Sequence, residues 1–243
     1  MFFQLVETGK KNTCGKTPEL DKELSLYIKK LASRGKIRIP KRLNLREIDF
    51  AVIDLETTGF YPSGGDEIIS IGAVLIRGGR IYRRLSFNRL VNPYRNIPEE
   101  VIRLTGISPN QVSKACSIYK VMPDFLSFID GNVLIGHMIN FDLSFLNRKL
   151  KLCRTKIYNK SLDTANLAKA LLPTLSDYSL DGLLTRFNIG NEGRHTALGD
   201  ALLTAQLFLA LLELGFEKNT ARWCDLDNCL KLSEQSEFIQ FGI

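Results

Sequence analysis

Gly78-Gly79 separates the run EIISIGAVLIR (67–77) from a second extended run at 80–91. A glycine pair at that spacing predicts a tight hairpin between two antiparallel strands. A third apolar run, residues 49–55, precedes them across the turn-rich YPSGGD and also reads as a strand. Three strands joined in this way commit the chain to a sheet. Helical material follows, in PEEVIRLTG and from about Ser117 to Ile129. A short apolar strand at 132–136 then leads into a helix at 141–151. A strand near 157–163 leads into a helix ending at Leu172-Pro173, and helices at 179–187 and 196–214 complete the pattern. Hairpin-linked strands followed by strand–helix alternation imply an α/β fold, a mixed five-stranded sheet flanked by helices.

This organisation places one main domain at 49–214, an N-terminal extension at 1–48 and a C-terminal tail at 215–243 with weak helical signals. The extension has helical spacing at Leu20, Leu24, Tyr27, Ile28 and Leu31, after the starter pair Thr17-Pro18. The breaker-bearing RGKIRIPKRLN after it reads as a linker. Charge separates the parts. Residues 1–48 hold 12 Lys/Arg against 5 Asp/Glu, whereas residues 49–243 hold 21 of each. All of the net +7 therefore sits in the N-terminal fifth. It reads either as a solvated helical extension or as an electrostatic footprint for a polyanion. Five cysteines without a Cys-x-x-Cys pair argue against a disulfide framework or a zinc site, and suggest reduced thiols and a cytoplasmic address. The start of the chain lacks the pattern of a secretory signal, and no apolar run approaches the roughly 18 residues of a membrane span, so no membrane partner is expected.

Chemistry enters with the carboxylates. Asp54 and Glu56 stand two residues apart at the end of the first strand, so they share a face of the sheet. Alone they read equally well as solvated acids at a strand end. Asp142 falls in the first turn of a helix that follows a buried strand, where an acid suits the helix dipole. Asp200 sits inside an otherwise apolar helix, where aspartate has poor intrinsic propensity and so needs a reason. The chain has two histidines, His137 and His195, and each stands five residues before one of these acids. Four carboxylates delivered by three elements to one sheet edge suit hard cations such as Mg²⁺ or Mn²⁺. A pair of such ions can activate a water and stabilise in-line displacement at phosphorus. A histidine, whose unperturbed side chain titrates near 6.5, is suited to accept that water's proton.

These residues resemble the DEDDh 3′→5′ exonucleases, the DnaQ-like group of the proofreading epsilon subunit of bacterial DNA polymerase III. The first motif matches Asp54-x-Glu56-Thr57-Thr58-Gly59, the second His137 through Asp142, and the third His195-x-x-x-x-Asp200. Leu104-Thr105-Gly106-Ile107, Leu162-Asp163-Thr164 and YSLDGLL are similar to the intervening family segments. The resemblance covers about residues 49–214 and implies an RNase H-like fold. It implies that Asp54, Glu56, Asp142 and Asp200 hold two divalent cations, with His195 as general base. It also places Thr57, Thr58, Gly59, Phe60, Leu104, His137 and Phe145 around the 3′-terminal nucleotide. One departure stands out. Met138 and Ile139 occupy positions where the family usually has Asn and Ala.

The implied activity is release of nucleoside 5′-monophosphates from a single-stranded or frayed 3′ end, with DNA favoured over RNA by Glu56-Thr57-Thr58-Gly59. A non-catalytic nucleic-acid-binding or polymerase-tethering module with the same fold is an alternative, as is a metal-dependent phosphatase for small phosphates. Retention of all four acids and His195 argues against the first, and the basic extension argues against the second. QSEFIQF (235–241) faintly resembles a sliding-clamp-binding peptide, which leaves a DNA polymerase or clamp contact open.

Overall fold

In the computed structural model, which describes residues 20–230, one mixed sheet has the order β4-β3-β2-β1-β5-β6. β1 (Phe50–Thr57), β2 (Ile68–Arg77) and β3 (Arg80–Asn92) pair antiparallel. β5 (Val133–Gly136) and β6 (Ser161–Asp163) continue the sheet parallel to β1. The hairpin glycines take φ of 54° and 69°, a region that a Cβ disfavours. Five strands are those the sequence predicts. The sixth, β4 (Cys116–Ser117), lies along β3 and is too short to leave a periodic signal.

Alternation along β1 divides the core into two layers. Ala51, Ile53 and Leu55 pack with α1 (Lys22–Ser33), α4 (Ile118–Phe128) and α5 (Asn140–Lys151). Phe50 and Val52 pack on the other side with α6 (Thr164–Leu171), α7 (Leu180–Arg186) and α8 (Ala197–Glu217). The short α2 (Glu99–Thr105) and α3 (Pro109–Ser113) flank a smaller cluster around Ile69, Ile97 and Val112. α3 leaves little periodic trace in sequence, being held instead by reciprocal capping between Ser108 and Gln111. α8 is long and apolar enough to cross a membrane by composition, yet it packs on β1 and β2 as a core helix.

Phe208 of α8 meets Phe50 edge-on with ring centroids 4.9 Å apart, and both rings are fully buried. Phe208→Ala should therefore lower unfolding free energy by about 3–5 kcal/mol, read from the urea midpoint.

α1 is capped by Asp21, whose carboxylate accepts the Leu24 N–H at 2.7 Å. It buries Ile28, Leu31 and Ala32 but leaves Tyr27 exposed. Thr17-Pro18 and QSEFIQF lie outside the described residues. The stretch after α1 differs from a free linker. Ile37, Ile39 and Leu43 pack into the α8 layer, with Ile39 buried. Backbone N–H groups of Leu45, Trp223 and Cys224 donate to Ala221, Leu43 and Lys41, tying this strap to a helical segment at 223–230. The physical reason is alternation: apolar residues two apart fit an extended segment lying on a core.

Candidate active site

Asp54 and Glu56 project from β1 on the side of Phe50 and Val52, toward α8. The helix can come close because the cross-strand partner of Asp54 is Gly72. A Cβ at Gly72 would lie 2.1 Å from the carbonyl carbon of Ala197, so the first turn of α8 sits directly on β2. Thr196 caps that turn, its hydroxyl accepting the Gly199 N–H at 3.2 Å. Asp200 is therefore a first-turn residue rather than the mid-helix acid that sequence suggests. This position aims it down at β1.

Carboxylate oxygens of Asp54, Glu56 and Asp200 all lie within 4.8 Å of one another. Asp142, 3% exposed, starts α5 on the opposite layer and reaches over the strand end, where the Leu55 backbone hydrogen-bonds to it. It stands outside that trio but in the same cleft, of about 540 Å³, which His137, His195 and Phe60 also line.

Burial, reinforced by Asp142, Asp200 and Glu56, holds the Asp54 carboxyl well above its ordinary range. Burial also raises Asp142, against the pull of backbone hydrogen bonds. Glu56 is pushed up to about 7 by burial and then by Asp200. One side chain opposes this crowding. Arg194 Nη1 donates to Asp200 Oδ1 at 2.6 Å, while its Nε and Nη2 fork onto Asp181 at 2.7 and 3.0 Å. His195 follows it in the left-handed region, φ 62°, and its backbone N–H donates to Asp200 Oδ2 at 3.1 Å. Both oxygens of Asp200 are thus engaged by consecutive residues of one loop, which fixes His195 at the cleft. A non-glycine residue held at positive φ is strained, and such strain persists where surroundings over-determine it. Sequence reasoning missed Arg194 and Asp181, although Arg194 directly precedes His195 and Asp181 lies within YSLDGLL.

The residues expected around a nucleotide separate into two groups. Phe60, 77% exposed, stands at the cleft mouth with its ring 6.1 Å from Phe141. Phe141 in turn lies 5.0 Å from Phe145, which is buried beneath it as floor rather than wall. Phe141 was not among the expected contacts, although it immediately precedes Asp142. Thr58 is 2% exposed and braces the turn: its hydroxyl donates to Asp66 at 3.1 Å and accepts the Glu67 N–H at 3.0 Å. The Thr57 hydroxyl donates to the Gly59 carbonyl at 2.7 Å. A Cβ at Gly59 would lie 2.4 Å from an Asp66 oxygen and would push that carboxylate off its hydrogen bonds to the turn. Leu104 is exposed on α2. His137 has Nδ1 2.9 Å from the Thr164 hydroxyl, while its buried Nε2 has no partner among the described residues. Burial lowers its pKa. Met138 is exposed at φ 55°, and its N–H and that of Ile139 donate to the two oxygens of Asp163. The same Asp163 caps α6 through the Ala165 N–H, so one carboxylate fixes two helix starts.

Three converging carboxylates in a buried setting, with charges that repel as they stand, fit a hard divalent cation. An all-oxygen trio disfavours the softer metals that prefer thiolate or imidazole.

A family model described as exonuclease (RNase T) matches residues 51–208. The DNA polymerase III subunit epsilon of Aquifex aeolicus (strain VF5) is 40% identical over 179 residues, covering 72% of this chain and 87% of that protein. A DNA polymerase III subunit epsilon-like protein of Rhodobacter capsulatus is 43% identical over 170 residues, covering 69% of this chain. The match spans only 24% of that longer protein. Among solved structures, the nuclease domain of 3′hExo, a DEDDh family member bound to rAMP, superposes with a TM-score of 0.63 at 23% identity. It covers 71% of this chain and 96% of that one, a likeness of fold.

Proposed function

The chain belongs to the exonuclease (RNase T) family, and from that premise we propose that it acts as a DEDDh enzyme, removing nucleoside 5′-monophosphates from a single-stranded or frayed 3′ end. The observation that carries this reading is the convergence of Asp54, Glu56, Asp142 and Asp200 from three elements on one cleft, with His195 tied to Asp200. Those four carboxylates would hold two divalent cations, Mg²⁺ or Mn²⁺. When bound, such a pair supplies charge neutralisation at phosphorus and a more acidic water. The chain's own groups do the rest. Phe60 and Phe141 offer ring faces to the terminal base. An imidazole nitrogen of His195 accepts the proton of the attacking water. Arg194 keeps the His195 loop against Asp200, and Gly72 allows α8 to approach closely enough for all of this to assemble.

DNA is the favoured substrate, supported by the Glu56-Thr57-Thr58-Gly59 motif and by relatives named as DNA polymerase III epsilon subunits. The same names support a proofreading or repair role beside a polymerase, in the cytoplasm.

The test is a matched pair of oligonucleotides, one labelled at each end, incubated with protein and Mg²⁺ or Mn²⁺. The 3′ label should leave at once as mononucleotide, while the 5′ label should shorten stepwise. His195→Ala should lower kcat by roughly 10²–10⁴-fold. Release from the 5′ end would refute the direction, and a fully active His195→Ala protein would refute the base.

A further inference from the structure

The strap after α1 builds a charged surface that the cleft does not use. Residues 34–42 contain five basic side chains and no acid, and residues 154–160 contain three and no acid. The fold lays these two segments side by side. Gly35 abuts Asn159, whose side chain donates to the carbonyls of Ile129 and Asn132 at 2.9 Å. Ile37 and Ile39 turn into the core, so Lys36 and Arg38 on either side turn outward and are exposed. Lys36 Nζ lies 4.3 Å from the centre of the Tyr158 ring, and Lys156 Nζ lies 5.8 Å from the same ring. Lys160 Nζ lies 5.7 Å from Trp223, which closes the strap from the other side. Of the acids beside this face, Asp130 pairs with Arg34, and Asp225 accepts the Arg222 N–H at 2.9 Å.

The location is informative. The strap and residues 154–160 reach the sheet where β1 and β6 begin, whereas the carboxylates stand where β1 ends. Glu56 stands six positions after Phe50 along β1, roughly 20 Å of extended chain. The face therefore lies at the opposite end of the sheet from the cleft. Lysines held against aromatic rings keep their ammonium groups at defined positions. An acid-free array of such charges, interleaved with aromatics, matches a row of phosphates.

We propose that this face, around Lys36, Arg38, Lys156 and Lys160, binds the sugar–phosphate backbone of a nucleic acid at a site separate from the cleft. The choice of a nucleic acid as the polyanion rests on the exonuclease reading, because the cleft at the other end takes a nucleic-acid terminus. Such a site retains a long strand or its duplex part while the 3′ end is processed.

The test uses the full chain in EDTA, with a long labelled oligonucleotide followed by fluorescence anisotropy across a salt series. A Lys36→Glu/Lys156→Glu double variant is compared with wild type, and thermal unfolding verifies that it folds. Affinity should fall at least about tenfold, and the slope of log affinity against log salt should become shallower by about 0.7 per lost phosphate contact. Hydrolysis of the p-nitrophenyl ester of thymidine 5′-monophosphate, assayed separately with Mn²⁺ in place of EDTA and engaging the cleft alone, should be unchanged in the variant. Unaltered affinity and slope overturn the proposal. So does a loss confined to anionic vesicles or an acidic peptide. Failure of wild type to hydrolyse the ester would instead count against the cleft reading, leaving the anisotropy result to decide the face.

Discussion

Asp54→Asn is expected to slow release of 3′ nucleotides by roughly 10³-fold while making the protein more stable in EDTA. The two effects share one cause. The Asp54 carboxylate is driven out of its ordinary range by burial and by three neighbouring acids. Its ionised form therefore costs free energy in the folded state unless a cation stands beside it. An amide has the same shape without the charge, so the metal-free fold is relieved. The same exchange removes an anionic oxygen from a trio lying within 4.8 Å, and with it much of the affinity for a divalent ion. Activity should be measured at saturating Mn²⁺, cation affinity by calorimetry, and stability by urea unfolding in EDTA. A variant that binds Mn²⁺ as tightly as wild type, or that is less stable in EDTA, would show that Asp54 is held by something other than a cation.

Much of this site is legible in sequence because its main parts obey local periodicities. Asp54 and Glu56 share a face by strand alternation, and β1 keeps that alternation through both. It then breaks: the pairing register of β1 with β2 shifts between Glu56 and Thr57. A bulge at that point reorients the side chains beyond it. Thr58 accordingly turns inward to Asp66 instead of toward the cleft, which counting by twos from Asp54 does not anticipate. Phe145 lies deeper than a wall residue for a related reason. By helical spacing it shares a face with Asp142, three residues before it, but α5 lays its Phe145, Leu146 and Leu150 stripe into the core. Arg194 was hidden because its meaning is non-local. One guanidinium reaches Asp181 thirteen residues back and Asp200 six residues ahead, whereas in sequence it is one more charge in a polar loop. In the strap, Gly35 and Pro40 read as breakers and obscured the alternation of Ile37 and Ile39.

Glu56 should give the metal-free protein a distinctive pH profile. Its folded pKa stands at about 7 against an ordinary value of 4.5, with burial as the main cause and Asp200 next. Between those two pH values the folded state holds a proton that the unfolded state has released. Stability is therefore fully present below about 4.5 and is lost as pH rises toward 7. The loss amounts to up to about 3 kcal/mol for this residue. Asp54 and Asp142 are shifted in the same direction and add to the slope. Asp181 and Asp177 are shifted downward and titrate below this window. His137, lowered by burial, gains stability as pH rises toward 6.5 and opposes part of the slope, which is why the comparison with Glu56→Gln isolates the carboxylate. Urea unfolding in EDTA across pH 4.5 to 7 should thus show a declining midpoint for wild type and a flatter decline for Glu56→Gln. Saturating Mg²⁺ or Mn²⁺ should flatten the wild-type curve as well, because a bound cation favours the ionised carboxylates. A wild-type midpoint that climbs with pH more steeply than that of Glu56→Gln in EDTA would mean that the Arg194 guanidinium outweighs burial at this cluster. The acids would then be a compensated ion-pair network rather than a site in want of a cation.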